Sequence, residues 1–363
     1  MKRICFILGF ILVFAMLPSL VFAQDDFGYE VIDGGVEITS YKGEELEVTV
    51  PSEIDKMAVV SIGYKAFAND DMRKIVLPET IVNISDSAFL DCLFLEEVII
   101  PEGITEIKYA TFKGCTLLRK VALPSTLLKI GDDAFNTCSS LQTVGVIPKG
   151  VTEIGNGAFF RCTSLKALEV DSENPVFESE DGVIYTENKR VLWLYPAGKN
   201  DKTFTIPETV EVIASDAFEA SSLKKIVIPE TVKKVGDNAF HLSSLKEVVF
   251  EGDIVLEECA FLECENLKKA VFKKDVEFGA LVFDMCEKAT VYADIDHPIL
   301  TYAKENNLYY GYVDGEKITR PLQMPKIDWN AVIFWSVTVV VVVGGAVLFI
   351  LFGKKKKERK LKK

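Results

Sequence analysis

The dipeptide Ala-Phe returns about every 22 or 23 residues: Ala66-Phe67, Ala88-Phe89, Ala134-Phe135, Ala158-Phe159, Ala217-Phe218, Ala239-Phe240 and Ala260-Phe261. Thr111-Phe112 and Val282-Phe283 hold the same place with the first residue changed. Each pair sits in a longer frame: Leu-x-x-Ile-x-Ile-Pro, then Val-x-x-Ile, then Ala-Phe-x-x-Cys-x-x-Leu. A fixed period in this range means a stack of supersecondary units rather than a closed globule. Each unit of such a stack touches only its neighbours. One elongated domain can therefore fill a length of roughly 300 residues that would otherwise suggest two compact ones.

Within one unit, Leu95, Val98 and Ile100 are apolar, and Leu118-Val121-Leu123, Leu223-Ile226-Ile228 and Leu245-Val248-Phe250 repeat them. The alternation predicts a short strand with these side chains turned inward. Pro101 stops the strand because it has no N–H for a ladder, and Pro78, Pro124, Pro148, Pro207 and Pro229 recur in that slot. A second short segment follows, as in Ile104-x-x-Ile107 and Val232-x-x-Val235. Ala-Phe then turns the corner, the small Ala admitting close backbone approach and the Phe filling the coil. The expectation is a β-rich solenoid with parallel ladders on at least one face and little helix.

This frame resembles the BspA-type leucine-rich repeats over residues 59–291, with a gap. The resemblance implies a leucine-rich-repeat array of parallel short strands. It implies a surface-exposed protein of host-associated bacteria or parasitic protists, with a role in adhesion to matrix, plasma or cell-surface proteins. It carries over no catalytic residue, and it implies binding through the concave strand face and its rims.

The period breaks between Asp171 and Ile206, where Ala158-Phe159 and Ala217-Phe218 stand 59 residues apart. Asp181-Gly182 between apolar runs signals a turn, so the segment 171–206 reads as an inserted hairpin. Its aromatics Tyr185, Trp193 and Tyr195 are candidate contact residues, or else they pack the hairpin on its neighbours. Residues 24–58 read as a cap of strands. Residues 292–319, with a short helix from Pro298 and a strand after Leu308, read as the closing cap.

Both ends of the chain carry address signals. Residues 1–23 read as a signal peptide, with Lys2 and Arg3 before an apolar run and Val21-Phe22-Ala23 at the cleavage position. Residues 320–330 read as a stalk. Residues 331–352 are 22 uncharged residues, about 33 Å as a helix, enough to cross a bilayer. The basic tail, 353–363, should hold that end in the cytoplasm and leave the N-terminal domain outside. Pro321-Leu322-Gln323-Met324-Pro325 departs from the Leu-Pro-x-Thr-Gly signal of sortase substrates, which favours a retained single span. The whole chain carries −13. Taking away the leader's +2 and the tail's +7 leaves −22 on the part between. So acidic a domain argues against nucleic acid and favours solubility or basic partners.

Cys92, Cys115, Cys138 and Cys162 are spaced by 23, 23 and 24 residues, and Cys264 and Cys286 share the slot. Ladder side chains point the same way, so buried free thiols are expected, although neighbouring coils lie within disulfide reach. The slot reads as empty around Leu242 and Ala220–Ser222. One Cys per coil, with His241 and His297 as the available imidazoles, makes a poor metal site, and no cofactor is expected. No nucleophile elbow, zinc-protease or phosphate-loop motif is present, so the chain reads as a non-enzyme. Asn83-Ile84-Ser85 is a glycosylation sequon with meaning only in a eukaryotic source.

Between the inward residues of each first strand one side chain faces out: Val76, Ile99, Ala122, Glu169, Val227, Val249 and Val271. Apart from Glu169 the file is apolar, which suits a protein interface or simply strand propensity. Lys74, Glu97, Lys120, Lys225 and Glu247 flank it. The reading is a membrane-anchored, single-pass cell-surface module that binds another protein as an adhesin. A structural envelope protein, a receptor-like scaffold without a host ligand, and a hydrolase built at the insert stay open beside it.

Overall fold

Burying the frame's apolar residues dictates the coil. In the unit around Phe112, Leu118 and Val121 in and before one strand, Leu127 and Ile130 in and before the next, and Phe112 itself are all fully buried. The computed structural model describes residues 26–186 and 188–312. The predicted leader 1–23, stalk 320–330, span 331–352 and tail 353–363 lie outside the described residues. Among the described residues no helix is long and apolar enough to cross a membrane.

Successive coils stack in parallel register and build two rows of short strands, a β-solenoid. The first row runs through Glu47–Thr49, Lys74–Val76, Glu97–Ile99 and Lys120–Ala122, then Val146–Ile147 and Glu169–Val170. It resumes with Thr203–Thr205, Lys225–Ile228, Glu247–Phe250, Lys269–Phe272 and Thr290–Ala293, and ends on Tyr309–Tyr312. The second row includes Glu106–Ile107, Lys129–Ile130 and Glu153–Ile154, and later Val191–Leu194, Val212–Ile213, Lys234–Val235 and Ile254–Leu256. An antiparallel pair, Phe27–Ile32 with Gly35–Tyr41, opens the stack. The helix Pro298–Glu305 covers the other end with Ile299, Leu300, Tyr302 and Ala303 buried.

The phenylalanines form a ring ladder along the axis. Centroids of Phe67, Phe89, Phe112, Phe135 and Phe159 follow one another at 5.2–5.5 Å, nearly parallel. Offset stacking of this kind adds to the area each ring buries. Regular corners are also pinned by backbone rungs. Phe89 N–H donates to Thr111 C=O, Phe112 N–H to Ala134 C=O, and Phe135 N–H to Ala158 C=O. Residues two before and two after the ladder ring take left-handed φ: Ser87 and Asp91, Asp133 and Thr137, Asn238 and Leu242. Most are not glycine, so the rungs and the buried ring hold a backbone that side chains disfavour.

The cysteines have a defined task. Each buried thiol donates to the carbonyl of the ladder Phe one coil back: Cys92 to Phe67, Cys115 to Phe89, Cys138 to Phe112 and Cys162 to Phe135. All seven cysteines of the described residues are free. Burial pushes the thiols of Cys115, Cys138 and Cys162 well above their ordinary range, which keeps them protonated and unreactive. The slot expected to be empty in two coils is filled by serine. Ser221 and Ser243 N–H donate to Phe218 and Phe240 C=O as the cysteines' N–H groups do. Those coils reach the next Leu one residue sooner, which hid the alignment.

The irregular segment is one long coil followed by a regular one. Tyr195, expected as an insert contact, is the ladder ring of its coil: it stacks on Phe218 at 5.1 Å, and its N–H donates to Ala217 C=O. The step from Phe159 to Tyr195 is 36 residues and from Tyr195 to Phe218 is 23, so the excess lies in a single coil. It folds as Phe177–Glu180 antiparallel to Val183–Thr186, which is antiparallel to Val191–Leu194. Asp181 and Gly182 form the turn, both at positive φ. The same coil is short at its corner: Leu192, in register with Ile213, lies three residues before Tyr195, whereas Ile213 lies five before Phe218.

Candidate functional site

The first strand row presents two parallel columns to solvent, because residues two apart on a strand share a face. One column is charged and alternates in sign. Glu47, Lys74, Glu97 and Lys120 are successive register partners, and Lys225, Glu247 and Lys269 repeat the pattern. Their ion pairs are long and exposed: Lys120–Glu97 at 3.9 Å, Lys225–Glu247 at 3.3 Å and Lys269–Glu247 at 3.7 Å. Such pairs contribute little stability, about 0–1 kcal/mol each, but they set a polar border.

The second column is the apolar file expected from the sequence. Ile99 is 64% exposed, Val76 45% and Val227 39%, while Ala122 and Val249 are half-buried and Glu169 is exposed. Register joins Thr49, Val76 and, one coil further, Ile99 and Ala122, and separately Thr205, Val227, Val249, Val271 and Tyr292. Val271 is corrected: it is only 8% exposed, flanked in register by Val249 and the large Tyr292. Two insert residues are also corrected. Tyr185 and Tyr195 are buried, Tyr195 because it is a core ring and Tyr185 because it lies on the middle strand of the three-stranded insert. Neither can meet a partner. Trp193 stays half-buried, its ring edge-on to Phe177 at 6.0 Å.

Two exposed apolar features escaped the sequence reading. Val146, 54% exposed, is the register partner of Glu169 and belongs to the file. Gly145, at positive φ, adds one residue to that coil and shifted the frame. Leu93, Phe94 and Leu117 are exposed on adjacent corners, where Leu117 N–H donates to Leu93 C=O. The signal was available: Leu93-Phe94 fills a Cys-x-x-Leu gap that holds Ser-Ser, Thr-Ser or Glu-Asn in other coils.

Among the described residues no group of three His, Cys, Asp or Glu could hold a metal ion. Asn83 of the sequon is half-buried, and its amide is engaged by Ser61 and Lys108.

A family profile described as BspA type Leucine rich repeat region, in six copies, matches residues 60–180 and 197–301. No curated protein sequence matches the chain. Among solved structures, the pneumococcal vaccine antigen PcpA shares 20% identity, with 78% of this chain and 96% of that chain covered, at a TM-score of 0.50. A leucine-rich repeat protein from Bacteroides ovatus is 20% identical over 81% of this chain and 100% of its own, at 0.48. A leucine rich cell surface protein from Faecalibacterium prausnitzii is 22% identical over 81% and 95%, at 0.47.

Proposed function

The chain belongs to the BspA-type leucine-rich-repeat family, and from that premise we propose that it is a membrane-anchored cell-surface adhesin. It acts by binding rather than by catalysis. Its ligand is an extracellular matrix, plasma or cell-surface protein, and nucleic acid is disfavoured by the net charge of −22 between leader and tail. The leader and the run 331–352 support export and a single span with the repeats outside. The observation that carries the binding reading is the exposed file of Val76, Ile99 and Val146 beside an alternating charged column. Exposed apolar side chains with a polar border are the make-up of a protein interface core and rim.

The test is a binding screen of the exported chain against matrix and plasma proteins, with an Ile99→Asp/Val227→Asp variant in parallel. Both side chains are exposed, so the variant should keep its melting temperature and lose saturable binding. Retained binding in the double variant would move the interface off this file. An absence of binding by the native chain would favour a structural role in the envelope.

A further inference from the structure

The short corner of the irregular coil leaves a cleft of about 260 Å³ between the corners of Phe159 and Phe218. Its walls include Val191, Trp193, Leu194 and Val212, and Asp216 and Glu219 line it from the following coil. In regular coils the N–H groups two before the ring, at the ring and two after it donate to the next coil. Here only the last is met, and not by a carbonyl: Arg161 N–H donates to Glu219 Oε2 at 2.9 Å, across 58 residues. Among the described residues the N–H groups of Gly157 and Phe159 find no acceptor.

Glu219 is 5% exposed, and its other oxygen, Oε1, has no hydrogen-bond partner. Burial pushes its carboxyl up to about 7, against the pull of Arg161 and with a further push from Asp216. Lys234 on the rim is already held by Glu257 at 2.7 Å. An acidic, unsatisfied acceptor thus lines the same cleft as unsatisfied donors and apolar side chains, a combination that a packed core excludes and a binding site uses.

We propose that this cleft binds a lysine side chain of a polypeptide, its ammonium on Glu219 Oε1 and Asp216 and its methylene stem along Trp193 and Leu194. The carbonyl of the same residue would accept from the free N–H of Phe159. Ammonium fits better than guanidinium. Glu219 offers one oxygen, since the other serves Arg161, so the two-pronged pairing that guanidinium favours is closed. The cleft lies by the second strand row and the corners, away from Ile99 and Val227, so it stands apart from the strand-face reading.

Calorimetric titration of the full-length chain with Nα-acetyl-lysine-N-methylamide tests it, with the norleucine analogue as the uncharged equivalent. Saturable binding is expected for the lysine compound, weaker by about tenfold or more for norleucine, as befits a charge-assisted bond. Glu219→Gln keeps an amide oxygen for Arg161 N–H and removes the charge, so it should abolish the preference without lowering the melting temperature. Asp216→Asn should weaken it less. Equal affinity for both compounds, unchanged preference in the Glu219→Gln variant, or no saturation in the native chain would each overturn the proposal. The Ile99→Asp/Val227→Asp variant should bind the lysine compound as the native chain does, so the two readings fail separately.

Discussion

The coils before and after the irregular one solve the same packing problem differently. From Phe67 to Phe159 the ring steps are 22, 23, 23 and 24 residues, and cysteine fills the small buried slot from Cys92 onward. From Tyr195 to Phe283 the steps are 23, 22, 21 and 22, with serine in two of the slots. The second stack is tighter: Phe218, Phe240 and Phe261 follow at 4.8 Å. It also has a second aromatic column, Phe250 on Phe272 at 4.6 Å, in coils where Glu251 and Lys273 replace the proline stop. From Lys225 onward the first-row strands run four residues, as in Glu247–Phe250, against three in Glu97–Ile99. The buried side chains divide into two clusters that meet at the irregular coil. Shorter coils thus favour longer ladders and closer rings, and wider coils leave more of the apolar file, Val76 and Ile99, in solvent.

The harshest test of this division removes a ring from each side. Phe112→Ala and Phe240→Ala should each cost about 3–5 kcal/mol, with Phe240 the larger because its neighbours stand closer. Because solenoid stability is a sum of neighbour terms, hydrogen exchange should quicken mainly in the stack that lost the ring. Equal loss of protection across both stacks would mean that the seam does not divide them.

The seam itself answers to pH. Burial raises the Glu219 carboxyl to about 7 and that of Asp216 to about 6, both above their ordinary values of 4.5 and 3.8. The folded chain therefore holds protons that the unfolded chain has released. These two groups lower stability progressively as pH rises from about 4 to about 7, and the penalty is complete above that window. Glu219→Gln should flatten the slope and add on the order of 2 kcal/mol at pH 8, read by urea melts at pH 5 and pH 8. Asp216 keeps its smaller share of the slope in this variant, and a slope undiminished from the native chain's would place the titration elsewhere.

Smaller effects separate cysteine from serine. Cys115→Ala leaves the Phe89 carbonyl with the Cys92 N–H as its remaining donor and should cost about 1 kcal/mol. Ser221→Ala should cost nothing or stabilise by up to about 1 kcal/mol, since the Ser221 hydroxyl is buried without a partner. Denaturation midpoints of the two variants should move apart, and a common direction would show that the slot tolerates either chemistry.

Much of this was legible in the chain. The Ala-Phe period and the inward Leu, Val and Ile positions are one-dimensional signals of a one-dimensional fold, and the structure places them in the core. What escaped was whatever shifts the count by one or two. Gly145 displaced Val146, the short Ser221 and Ser243 coils hid the thiol slot, and the trimmed corner disguised Tyr195 as an insert residue. Exposure escaped as well, because register neighbours decide it: Val271 reads like Val227 until Tyr292 stands beside it. The left-handed corners left no trace, since Ser87, Ala110 and Leu242 are imposed on by the rungs and not selected for them. The cleft was invisible because it arises from residues that are missing relative to the frame.

The thiol-to-carbonyl bonds run between neighbouring coils only. Each reaches a single coil back and joins nothing covalently, so the cysteine-bearing coils are bonded to the stack by the same replaceable set of contacts. Duplicating or deleting a whole coil would leave no orphaned cross-link, and an array of this kind can change its reach one step at a time. A disulfide-laced scaffold of equal length would have to rewire its pairings at every such event.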